Sequence, residues 1–313
     1  MVWRRLMAAS ARRVSIWSLL LALGVSLGLL WTLQPLAQAY APNAGHDFIL
    51  LYAAAHAVRD HQNPYDPATL LRYARMSGVG IVYLVDTSHH LNQPYVYPPL
   101  FAWLVIPLTF FSPAHALVAW RAICALGVFA GTYGVTAPWR NEVGILRTQT
   151  HRLIFAGLSV VAPVTVYGLY WGNPVELMYA AMGGWVWLLW RRGQWTDVAA
   201  GVLMSASLLK PQLALPMAAL SAGCFLWGAD AMRRRWRVAK GFLGASLVLL
   251  LLDLLVTSPA LLLAWPRSIL YLARMTNTQS DMPSLLGLLK HYLQQLPVRL
   301  YTQITLLVVL VTV

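Results

Sequence analysis

Long apolar runs recur along this chain, at residues 14–33, 98–111, 115–137, 153–170, 174–190, 196–228 and 239–257, with another beginning at 300. A run of about 20 residues spans the hydrocarbon of a bilayer, and in that solvent every backbone N–H and C=O must be paired within the segment. Helices are therefore expected throughout. With 59% hydrophobic and 11% charged residues, a soluble fold would have too little charge to cover its surface. The predicted class is all-α: a polytopic transmembrane helical bundle forming a single integral domain over 1–313. The chain stops inside the last apolar run without a charged flank, so a C-terminally incomplete bundle is expected.

The net charge of +13 comes from short basic clusters between apolar runs, the pattern of cytoplasmic membrane loops rather than of a nucleic-acid footprint. No nucleic-acid partner is expected. Arg4, Arg5, Arg12 and Arg13 precede the first run, which ends near Ala37 and Ala39 in a cleavage-like pattern. Its length exceeds a signal-peptide core of about 7–15 residues, so an uncleaved first helix is favoured. Cys124 and Cys224 lie inside apolar runs without metal or redox spacing and read as small core residues.

The N-terminal arginines, Arg191 with Arg192, and "RRRWRVAK" at 233–240 set the cytoplasmic side, leaving residues 34–97 as a first outer loop and 258–299 as a second outer region. Putting 140–152 inside as well breaks the parity if both 98–111 and 115–137 cross. One of them is then partial, or that loop is outside. The first is short and bracketed by Pro98, Pro99 and Pro113, so a half-crossing there is the favoured repair.

The outer loop carries Asp47, Asp60, Asp66 and Asp86, four of only ten carboxylates. Phe48, Leu51, Tyr52, Ala55 and Val58 recur at helical spacing, predicting an amphipathic helix on the membrane surface that ends at "HQNPYDP". Ionisable groups in apolar runs cost about 2.5–3.5 kcal/mol each on insertion scales, which singles out Glu176, Lys210 and Asp253 toward the outer side and Arg121 in a segment of open topology. Structural roles compete with functional ones. Asp47 could cap a helix, Lys210 could snorkel, Asp253 could pair with a cation, and Glu176 could favour a helix N-terminus. His46, His56, His61, His89 and His90 show no metal-binding spacing, so no protein metal site is expected. A hydrated divalent cation bridging Asp47 and a substrate phosphate stays open.

Taken in order, "GHDFILLYAAAHAVRDHQNPYDP", "YVYPPLFAWLVIPLTFFSPAHALVAW", "LYWGNPVEL", "AAGVLMSASLLKPQLALP" and "MPSLLGLLK" make the chain resemble glycosyltransferase family 87. This family of polytopic GT-C membrane enzymes includes polyprenol-phosphate-mannose-dependent mannosyltransferases. The resemblance implies a GT-C bundle with a long first outer loop and Asp47 as catalytic base. It also implies Tyr97 in "YPPL" beside the donor and Lys210 in "LKP" as a phosphate partner. The chain departs from the family at Gln62 and Asn63, and at Gly172-Asn173 where "GQ" is usual. Arg267 and Arg274 are further candidates for the donor phosphate, and Asn173, Glu176 and His46 complete the expected substrate-binding set.

The implied reaction moves a hexose, mannose favoured, from a polyprenyl-phosphate donor to a glycolipid or glycan acceptor, with inversion. The expected setting is a bacterial plasma membrane with the site facing outward, among membrane lipids. Inversion needs one displacement and one base, while the departing phosphate needs fixed positive charge. Rival readings are a transporter or flippase of lipid-linked substrates and a noncatalytic GT-C-like subunit. The absence of duplicated halves in the sequence argues against the carrier.

Overall fold

A computed structural model describes residues 45–77, 94–210, 214–220, 225–226 and 230–274, with isolated positions 24 and 223; the side chains of 145, 214–216 and 270–274 lie outside the description. The expected first helix at 14–33 apart from position 24, Ala37 and Ala39, Asp86, His89, His90, Cys224, the "MPSLLGLLK" segment and the terminal run lie outside the described residues. Among those described, the secondary structure is helical and no strand occurs.

Helix α1 (His46–Arg59) departs from the amphipathic surface helix predicted for it: Phe48, Ile49, Leu51, Ala53, Ala54, Ala55 and Ala57 are fully buried. The residues between the expected apolar positions are themselves apolar or small, so no polar face exists and neighbours close in from several sides. Helix α2 (Pro67–Ser77) is the amphipathic one, burying Leu70, Tyr73, Ala74 and Ser77 at i, i+3, i+4 and i+7. Asp66 starts α2 by accepting the Thr69 N–H at 2.9 Å and its hydroxyl at 2.7 Å, ahead of Pro67 at the first helical position. Asp60 receives the Tyr73 hydroxyl at 2.8 Å, and that bond is the main reason its pKa lies below the ordinary aspartate value. Two of the loop's carboxylates are therefore engaged in local structure.

Helix α3 (Pro99–Val105) runs into a 3₁₀ turn at Ile106–Phe110. The pair is roughly 20 Å long, short of a bilayer core of about 30 Å. Helix α4 (Pro113–Val135) is long and apolar enough to cross. Helices α5 (Gln149–Val160) and α6 (Pro163–Trp171) are bent by 51° at a break before Pro163, which cannot continue the preceding hydrogen-bond ladder. Helices α7 (Val175–Arg191), α8 (Gln194–Ser205), α9 (Ala214–Leu220), α10 (Ala231–Val256) and α11 (Pro259–Arg274) follow. Among the described residues, α4 and α10 can each span a membrane, and α5 with α6 adds a third span if the bent pair counts as one. Leu243, Leu247, Val248, Leu250, Leu251 and Leu255 are exposed along α10, an apolar surface suited to lipid and not to water.

Glycines draw α4 and α7 together. Gly127 abuts Glu176 and Leu177, Gly131 abuts Tyr179, and Gly134 abuts Gly183, with backbone against backbone. The matching order shows that the two helices run parallel, with α5 and α6 returning between them. Arg140 stacks over Trp190 at 5.0 Å, and Arg234 donates to the Leu189 carbonyl at 2.7 Å. The basic segments around 140, 191 and 234 therefore share one end of the bundle. By length α3 with its 3₁₀ turn is too short to cross while α4 is long enough, which fits the half-crossing expected of 98–111.

At that end lies an ion cluster that no local pattern of residues announces. Asp197, fully buried in the first turn of α8, takes Arg234 at 2.9 Å and Arg237 at 2.9 Å, both from α10. Arg234 also donates to the carbonyls of Phe225 and Leu189, so its burial is compensated by hydrogen bonds as well as by charge. The cluster ties α7, α8 and α10 together.

Candidate functional site

At the other end, α1 begins where α6 finishes. Gly45, at φ +89°, donates its N–H to the Tyr170 carbonyl at 2.9 Å and serves as the N-cap of α1 without any side-chain cap. Asp47 is the second helical residue and not the cap, so its carboxylate is free to face across the bundle. Trp120 and Arg121 of α4 fix the partner segment: Trp120 Nε1 donates to Gly172 O at 2.8 Å, while Arg121 donates to Leu169 O and Tyr170 O, each at 2.9 Å. Arg121, unassignable from sequence, satisfies the orphan carbonyls at the end of α6.

Gly172 closes α6 at φ +70°, and a methyl added there would stand 2.6 Å from Phe48 Cβ. Left-handed backbone and close approach to α1 both require glycine. Gly172→Ala is expected to cost about 2–4 kcal/mol from the two effects together, checked by thermal unfolding in detergent.

The residue after it, Asn173, makes the central connection. Its Nδ2 donates to Asp47 Oδ2 at 2.8 Å, and its Oδ1 accepts from Lys210 Nζ at 2.8 Å and from the Val175 N–H at 3.0 Å. Three partners fix which way the amide points. Asp47 and Lys210 are bridged by this neutral amide and form no direct ion pair. Lys210, at the end of the 3₁₀ turn Ala206–Leu209, is only 9% exposed and so does not snorkel. Asp47 keeps a quarter of its side chain open and meets the buried His46 ring, whose Nδ1 lies 3.3 Å from Oδ1. That ring in turn meets Trp171 edge-on at 5.5 Å.

Glu176, in the first turn of α7, is buried, and its Oε2 has no hydrogen-bond partner among the described residues. Gly168 leaves room for the other oxygen, since a methyl on that glycine would run into Glu176 Oε1. Half-buried Tyr97 rests on Phe101 at 5.3 Å and accepts the Tyr65 hydroxyl on its carbonyl at 2.7 Å. Burial first, then the charges of Asp47 and Glu176, hold its phenol above the ordinary range, so it stays a protonated donor.

The structure thus gathers His46, Asp47, Tyr97, Asn173, Glu176 and Lys210 from four separate segments. Arg267 is exposed on α11 and makes no hydrogen bond or ion pair among the described residues; its neighbours Trp265 and Ser268 fasten α11 to the carbonyls of Val96 and Tyr95. The side chain of Arg274 lies outside the description. Asp253 has no cationic partner among the described residues: the Thr257 hydroxyl reaches its carboxylate at 3.5 Å. Among the described residues, no group of three or more His, Cys, Asp or Glu side chains is arranged to hold a metal.

A family model described as "Glycosyltransferase family 87" matches residues 95–313. No curated protein matches the chain, and no solved structure does. The matched segment takes in Tyr97, Asn173, Glu176, Lys210, Arg267 and Arg274, and leaves His46 and Asp47 ahead of it.

Proposed function

This chain belongs to glycosyltransferase family 87, a membrane glycosyltransferase family, and from that premise we propose that it transfers a hexose, mannose favoured, from a polyprenyl-phosphate donor to a glycolipid or glycan acceptor. The observation that carries this reading is the Asp47–Asn173–Lys210 chain, which sets one partly open carboxylate and one buried ammonium on either side of a fixed amide. In the proposed reaction the acceptor hydroxyl gives its proton to Asp47 as its oxygen attacks the anomeric carbon. The bond from that carbon to the phosphate oxygen breaks, and polyprenyl phosphate leaves as an anion with inversion at carbon. Lys210 gives one N–H to Asn173 and has two others to offer the departing phosphate.

Asn173 is then the positioning residue of the site. It keeps Asp47 and Lys210 from collapsing into an ion pair that would neutralise both. Tyr97 and Glu176 are assigned to the sugar hydroxyls, as donor and acceptor respectively, and His46 to orienting Asp47. Arg267 and Arg274 are assigned to the donor phosphate from the second outer region. The basic segments at the opposite end support an outward-facing site, by the preference of Lys and Arg for the cytoplasmic side of a plasma membrane.

The test uses membranes containing the overexpressed full-length protein, a panel of polyprenyl-phosphate sugars and mass spectrometry of the glycolipid products. A hexose added from one of these donors is the expected result, and Lys210→Gln should lower kcat/KM by about 10²–10³-fold. Transfer only from a soluble sugar nucleotide would refute the lipid-phosphate donor.

A further inference from the structure

A cavity of about 750 Å³ opens at the end of the bundle away from Asp47, between α4, α5 and α7, and four arginines line it: Arg140, Arg147, Arg152 and Arg191. Its lining includes no carboxylate, and none of the four forms an ion pair among the described residues. The contrast with the same end of α10 is direct, because Arg234 and Arg237 share Asp197 as a counter-charge and Arg233 pairs with Asp230. Four guanidiniums facing one space repel each other and create a strong positive potential.

Three of the four are oriented by aromatic faces: Arg140 over Trp190 at 5.0 Å, Arg191 over Trp187 at 4.2 Å and Arg152 over Tyr133 at 4.2 Å. Arg152, only 9% exposed, is further fixed by Thr136 Oγ1 at 3.2 Å and the Tyr133 carbonyl at 2.6 Å. Gln149 and Thr148, at the start of α5, complete the polar lining. Arginines pre-aimed in this way recognise phosphate oxygens better than flexible lysines do.

The surroundings select the source of the phosphate. Close in sequence to lining residues, Val135, Trp139, Ile154 and Phe155 are exposed, an apolar and aromatic rim of the kind found where a helix bundle meets lipid. We propose that the cavity binds the phosphate head group of an anionic phospholipid, with the acyl chains lying against α5. The ligand is a lipid and not a soluble phosphate ester, because only a lipid would cover the apolar rim as well as the arginines.

The experiment uses purified full-length protein in nanodiscs and in detergent. Native mass spectrometry counts retained lipid when phosphatidylglycerol, phosphatidylcholine or glycerol phosphate is supplied. Phosphatidylglycerol should be retained roughly tenfold or more over phosphatidylcholine, as one lost charge-assisted contact would give, and glycerol phosphate should not displace it. The double variant Arg140→Gln with Arg147→Gln, both exposed and with no side-chain bond to the backbone among the described residues, should erase that preference, while Arg233→Gln should keep it. Equal retention of both lipids, an unchanged preference in the double variant, or displacement by glycerol phosphate would each overturn the proposal.

Discussion

Asp47→Asn is expected to remove sugar transfer almost entirely while the protein still folds and inserts. An asparagine has the shape of the aspartate, and its carbonyl oxygen can still accept the Asn173 N–H that now reaches Oδ2 at 2.8 Å. The buried surroundings in α1 are therefore kept. Lost is the only charge at that position able to take a proton from an acceptor hydroxyl, and general-base catalysis of this kind contributes roughly 10²–10⁴-fold. Initial rates with a polyprenyl-phosphate sugar, alongside unfolding temperatures of both proteins, separate the chemical effect from a structural one. A variant that transfers at close to the normal rate would exclude Asp47 as the base.

The largest expected loss of stability lies at the other end. Asp197→Ala strands Arg234 and Arg237, the first of them buried, without their shared counter-charge. Removing one partner of a buried charge network costs about 3–5 kcal/mol, since the remaining charges stay desolvated. The hydrogen bonds from Arg234 to Phe225 and Leu189 soften this without replacing a carboxylate. Thermal unfolding in detergent reads the loss directly, and a decrease below about 1 kcal/mol would show that the arginines rearrange toward water. Any folded fraction should keep its affinity for donor, because the cluster lies at the end opposite Lys210.

These two aspartates mark how far the sequence could be read. Asp47 stood out because it follows an apolar run and opens a helical pattern. Asp197 did not, because nothing in its local spacing points to Arg234, 37 residues later. Asn173 drew notice only as a departure from a family motif, and its bridging position depends on contacts 126 and 37 residues away. The sequence also left Arg121 without a role, for the carbonyls it caps belong to a helix 48 residues on. Spacing assigns helix α1 one apolar face because it counts large residues, whereas its alanines admit neighbours on the remaining sides.

The sequence by itself determined the solvent and the class of structure, since long apolar runs in a bilayer leave the backbone no partner outside its own helix. It also determined which rare charges needed explaining, because each one embedded in such a run carries a desolvation cost. Only the tertiary structure decided which of those charges meet. The glycine seam between α4 and α7, the left-handed turn at Gly172 and the break before Pro163 set the register of the helices. That register brings Asp47, Asn173 and Lys210 within hydrogen-bond reach and leaves the four arginines of the opposite cavity without a counter-charge among the described residues. Pairing across a bundle depends on distances between helices, and a linear pattern of residues carries no measure of those.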